Sequence, residues 1–113
     1  MNIQIFGTKK SFDTKKAQRY FKERRIPFQF INLAEKPMSK GELQSVARAV
    51  GGLDALINPD ARDQDAAALV MHIAEVQRFE MLLENQQILR EPIVRNGRQA
   101  TVGYAPDTWK GWS

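Results

Sequence analysis

The 113-residue chain contains no cysteine, so as it stands it carries no disulfide, no thiolate metal ligand and no thiol nucleophile. Histidine occurs once, at His72, and no triad or metal-ligand spacing surrounds it. No stretch of eighteen apolar residues is present, so no membrane-spanning helix and no membrane partner are expected. Seven glycines and five prolines are scattered, with no repeat, linker or low-complexity tract. What is there is ordinary soluble composition, 42% hydrophobic and 27% charged, enough for one core. One domain over 1–113 is expected. The opening Met1-Asn2-Ile3-Gln4-Ile5-Phe6 reads as a strand rather than a signal peptide, which points to the cytoplasm.

Charge is uneven. Net charge is +4, yet Lys9 to Arg25 alone holds eight basic residues against Asp13 and Glu23. The rest of the chain is therefore weakly acidic. A basic run of this kind serves as a solvated helix face or attracts a small anion to a helix N-terminus. Nucleic acid is not expected, because no helix-turn-helix, RNP motif or basic-aromatic interleaving accompanies the lysines.

Asn2 to Phe6 alternates as a short strand that Gly7 ends. Ala17, Tyr20 and Phe21 share one face of a helix over about Asp13 to Arg24, with Asp13 a candidate cap and Pro27 the stop. Phe28 to Asn32 forms a second strand, so the first two strands should be parallel. Ser39 and Glu42 make a capping box, and Gly51-Gly52 closes the helix they start. Leu53 to Ile57 reads as a helical turn. Asp63 to Leu83 is helical, long enough for two helices, with Leu69, Ile73, Val76 and Leu83 as its apolar stripe. Asn96-Gly97 between two β-prone runs is a hairpin signal in which both turn residues take positive φ. A short helix around Pro106 to Trp109 ends the chain. The order is that of a mixed sheet with inserted helices, an α/β layer structure.

At residue level the chain resembles the arsenate reductase (ArsC)/Spx superfamily, most closely its small YffB-type, glutathione-dependent members. Those proteins open with Y-G-I-x-N-C-D-T-x-K-K-A, where this chain has Phe6-Gly7-Thr8-Lys9-Lys10-Ser11-Phe12-Asp13-Thr14-Lys15-Lys16-Ala17. Their later L-x-x-x-P-x-x-I-K-R-P block and V-G-F hairpin end correspond to Ile88-Leu89-Arg90-Glu91-Pro92 and Val102-Gly103-Tyr104. The resemblance covers essentially the whole chain. It implies a thioredoxin-like α/β fold with a mixed sheet, a helical insertion over about 39–85, and Pro92 as the cis-proline.

In that family a cysteine at the first helix's N-terminus becomes a thiolate, because free amides, the helix dipole and nearby cations favour the anion. Without a gap, the family's cysteine column falls on Ser11, and a one-residue shift matching C-D-T to Phe12-Asp13-Thr14 places Phe12 in that column instead; with Ser11 preferred, since the ungapped frame keeps the loop length, the second CxxC position is Thr14. The resemblance assigns anion or substrate binding to Lys9, Lys10, Lys15, Arg90 and Pro92. Family arginines follow an N-T-R motif and directly precede the proline, whereas this chain has Asn58-Pro59-Asp60 and Glu91 at those places. An acid there repels an oxyanion such as arsenate.

Serine forms no disulfide, so the expected protein is a thiol or selenol oxidoreductase relative, glutathione-linked, that is redox-inactive as written. Ser11 then stands where Cys or selenocysteine belongs. The alternatives are a non-catalytic Spx-like regulator that binds a protein such as RNA polymerase, or a groove that holds glutathione or a small oxyanion. Glutathione enters as co-substrate rather than bound cofactor; no metal is expected, and a monomer is.

Overall fold

The computed structural model describes residues 1–112. Its elements run β1 (Ile3–Gly7), α1 (Phe12–Glu23), β2 (Phe28–Asn32), α2 (Lys40–Val50), α3 (Gln64–His72), α4 (Glu75–Glu84), β3 (Ile93–Asn96), β4 (Gln99–Val102) and α5 (Pro106–Trp109). The sheet order is β2-β1-β3-β4. The β1 and β2 strands pair in parallel, whereas β3 is antiparallel to β1 and to β4. This is a thioredoxin-like α/β fold, with three helices inserted between β2 and β3.

Side-chain alternation sends the central strands into two separate cores. Ile3 and Ile5 of β1 and Val94 of β3 join Ala17, Tyr20 and Phe21 of α1 and Trp109 of α5 on one face. Phe6 and Ile93 point the other way, into a larger cluster with Leu43, Val46, Leu56, Val70 and Leu82. The insertion is therefore the second layer over the sheet. Gln86, buried between them, accepts the Met38 N–H at 2.7 Å and donates to the Met38 carbonyl at 2.8 Å, which ties the loop before α2 to the end of α4.

Most element boundaries follow their sequence signals. Ser39 and Glu42 form the reciprocal capping box, and Gly51 caps α2 in the left-handed region at φ 89°. Asp63 caps α3; the Ala66 N–H, then the Gln87 amide, hold its carboxyl below the ordinary carboxylate range.

Three expectations need correction. Asp13 does not cap α1: it lies exposed in the first turn, and Ser11 is the cap. The stripe Leu69, Ile73, Val76, Leu83 is not the buried one. Leu69 is 46% and Val76 84% exposed, while Ala67, Val70 and Leu82 face the core. The two helices allowed for by the length are there, but extended backbone at Ile73 and Ala74 between them resets the phase, so a stripe of one helical period does not run across both. The hairpin turn is Gly97-Arg98, since Asn96 still pairs with Gln99, and only Gly97 has positive φ. Asn96 stays in the strand, where its carboxamide accepts the Asn2 N–H.

On the α1 face, the buried Trp109 indole N–H donates to Thr101 Oγ1 at 2.8 Å. Thr101→Val leaves that donor unpaired and should lower unfolding free energy by about 1–3 kcal/mol. Urea denaturation checks it, and the loss from Thr101→Val should be smaller in a Trp109→Phe background, where no indole N–H is left to orphan.

Candidate functional site

The connection from β1 to α1 is four residues long. Thr8 leaves the buried strand, Lys9 and Lys10 make an exposed turn, and the Ser11 N–H closes it on the Thr8 carbonyl at 3.3 Å. Ser11 is extended (φ −80°, ψ 122°), and its Oγ accepts the Thr14 N–H at 3.2 Å. Serine suits this place because its short hydroxyl reaches back to a first-turn amide. The same amides are the ones that would stabilise an anion at position 11.

Thr14, one turn into α1, is fully buried, and its Oγ1 has no hydrogen-bond partner among the described residues. It lies against Gly7. A Cβ on Gly7 would sit 2.4 Å from Thr14 Oγ1 and 2.8 Å from its Cγ2. Glycine at the end of β1 is thus what lets α1 approach the sheet at this point.

Pro92 is buried behind the loop, and the Glu91-Pro92 peptide is cis. The carbonyl of Pro92 accepts the Gly103 N–H at 2.8 Å. The Glu91 carboxylate turns toward the β1–α1 loop, where Oε1 accepts the Thr8 N–H. Beside it lies a cleft of about 380 Å³ lined by Thr8, Leu33, Pro37, Leu83, Glu84 and Glu91. Two carboxylates on its wall make it unfavourable for an anion.

The expected binding set divides. Ser11, Thr14 and Pro92 converge on the loop. Lys9 and Lys10 lie in the exposed turn, and Lys15 reaches the Phe12 ring, with Nζ 5.7 Å from its centroid. Arg90 does not join them: its Nε donates to the Ile57 carbonyl at 3.2 Å, and it lines a different cavity with Asp54, Pro59 and His72. His72 is exposed there, outside the cleft beside Thr8. No general base is hydrogen-bonded to Ser11 Oγ among the described residues, so that hydroxyl lacks the activation a nucleophile needs.

Two features were not read from the sequence. One is the close approach of Gly7 to Thr14, which only the path of α1 over β1 creates. The other is the Glu91 contact to Thr8, for which Glu-Pro in place of Arg-Pro was the available signal.

The ArsC family model matches residues 6–112. The chain belongs to the ArsC family. Among curated relatives of this ArsC member, the global transcriptional regulator Spx 2 of Oceanobacillus iheyensis is 28% identical over 109 residues, 95% of this chain and 80% of the relative. A solved YffB protein has TM-score 0.81 at 18% identity, covering 96% of both chains. An arsenate reductase from Vibrio cholerae has TM-score 0.81 at 20% identity, covering 96% of this chain and 94% of its own. At these identities the solved structures speak for the fold. Within an ArsC fold, the proline at 92 and its cis bond match the expectation from sequence.

Gly7→Ala should cost about 1–3 kcal/mol by forcing its methyl into Thr14. Combined with Thr14→Ala the loss should be smaller than the sum of the single losses. Chemical denaturation of the four-variant cycle measures the coupling; strict additivity contradicts the contact.

Proposed function

We propose that this ArsC-family chain is a redox-inactive member that acts in the cytoplasm by binding a protein partner, in the manner of an Spx-like regulator. The observation that carries the reading is the state of Ser11. Its hydroxyl is engaged as the helix cap, has no base hydrogen-bonded to it among the described residues, and supplies neither thiol nor selenol. Phe12, the next residue, is 81% exposed at the helix tip with Lys15 over its ring, an apolar contact surface edged by cations. Similarity to Spx regulators makes RNA polymerase the first partner to try. Glutathione and small oxyanions fit less well, because the Glu91 and Glu84 carboxylates share the cleft wall.

A second reading keeps the family's redox chemistry, with Ser11 in the place of a cysteine or selenocysteine and glutathione as co-substrate. The coincidence of the α1 N-terminus, Pro92 and Lys9, Lys10 and Lys15 supports it, since together they favour an anion at position 11.

Titrating the fluorescently labelled chain with purified bacterial RNA polymerase tests the first reading. Saturable binding that Phe12→Asp weakens at least about tenfold (1.4 kcal/mol) is expected; no binding in a low-salt buffer refutes this partner. For the second, Ser11→Cys should give a thiol with pKa well below the ordinary value of about 8.5. Alkylation rate against pH measures that directly. A midpoint at the ordinary value would remove the support for an inherited thiolate site.

A further inference from the structure

The α3–α4 pair leaves an apolar groove that no other element covers. Leu69, Ile73, Val76 and Met81 line a depression of about 470 Å³ with Glu80 and Glu84 on its edge. Val76 of α4, 84% exposed, and Leu69 of α3, 46% exposed, lie in this one depression, so the exposed apolar side chains form a contiguous patch. Residues 63–84 carry five carboxylates (Asp63, Asp65, Glu75, Glu80, Glu84) against Arg78 alone, and Arg78 is already paired with Asp54 at 2.6 Å. The groove is therefore apolar with an acidic surround.

A matching opposite surface stands elsewhere on the molecule. Phe12 projects at the tip of α1, 81% exposed, with Lys15 Nζ 5.7 Å from its ring centroid and the exposed Lys9 and Lys10 in the turn just before it. The Lys9–Arg25 segment holds eight basic residues against two acids. An exposed aromatic side chain beside a cation, on a lysine-rich loop, and an apolar groove edged by carboxylates are complementary in both respects.

We infer that the chain associates head to tail with a second copy, the Phe12 tip of one molecule entering the Leu69–Val76 groove of the next. Groove-to-groove pairing is opposed by its own charge, since two surfaces with an excess of carboxylates would face each other. Tip-to-tip pairing is opposed by the lysines in the same way. Head-to-tail contact alone brings opposite signs together, and it buries both exposed apolar surfaces. Lys40 already meets Glu80 at 3.3 Å, but that pair is more than half exposed on both sides and exchanges readily for another cation. The contact also covers Ser11, Phe12's neighbour, so self-association and partner binding at α1 compete. The inference rests on the groove and the charge distribution, not on the identity of any partner.

Two variants decide it, and both positions tolerate change. Phe12→Asp adds an acid to a helix's first turn, where it is favoured, and Val76→Lys alters an exposed helical position. Sedimentation equilibrium of the wild-type chain in about 0.02 M salt should show mass rising with concentration, and this should weaken at about 0.5 M as screening shortens. Each variant alone should stay monomeric. Mixed in equal amounts they should form a 1:1 pair, because one retains the tip and the other the groove. A wild-type chain that is monomeric at millimolar concentration overturns the inference. So does association of either variant alone, or a mixture that fails to pair. RNA polymerase titration with Val76→Lys separates the two proposals: loss of self-association with polymerase binding intact would leave both standing on their own evidence.

Discussion

Five residues of β1 touch every layer of this molecule. Parallel bonds to β2 and antiparallel bonds to β3 fix its edges. Ile3 and Ile5 hold α1 and α5 on one face, while Phe6 holds the insertion on the other. Gly7 then ends the strand where α1 comes closest, with Thr14 filling the space a side chain would take. A strand buried on both faces has one workable register, since a slip of one residue would exchange the two cores. The position of Ser11 follows, because only three residues separate it from that fixed strand.

The loop so placed is built around negative charge at two points. One is the set of first-turn amides on α1, of which Thr14's is met by the Ser11 hydroxyl. The other is the Thr8 amide, met by the Glu91 carboxylate that arrives with Pro92. Both are satisfied from within the chain. A thiolate at position 11 would take over the Thr14 amide from the hydroxyl and leave the Glu91 bond to Thr8 in place. The site therefore combines a geometry suited to holding an anion with side chains that have already answered part of that demand.

The charge distribution belongs to the same design. The basic segment runs from the loop along the whole of α1, and carboxylates prevail across α3 and α4. In a small domain such separation produces a strongly dipolar surface, whose effect on association depends on ionic strength. Exposed Phe12 and exposed Val76 fall on opposite signs of it.

Local signals determined much of this protein from sequence alone. The β-α-β start, the Ser39 capping box and the Gly51 stop depend on neighbours within a few residues, so they were legible. The family motifs placed Ser11, Thr14 and Pro92 by their order along the chain. Where the reading failed, a long-range choice was involved. Which face of residues 63–84 is buried depends on the break at Ile73 and Ala74, and no glycine or proline marks that break. Arg90 lies two residues before the proline in sequence, yet the bridge between Ile57 and Leu89 turns it toward the insertion instead. Composition and motif thus decided which residues reach the loop. Only the packing of two layers against β1 decided which of them face it, because side-chain direction is set by the partner surface and not by spacing along the chain.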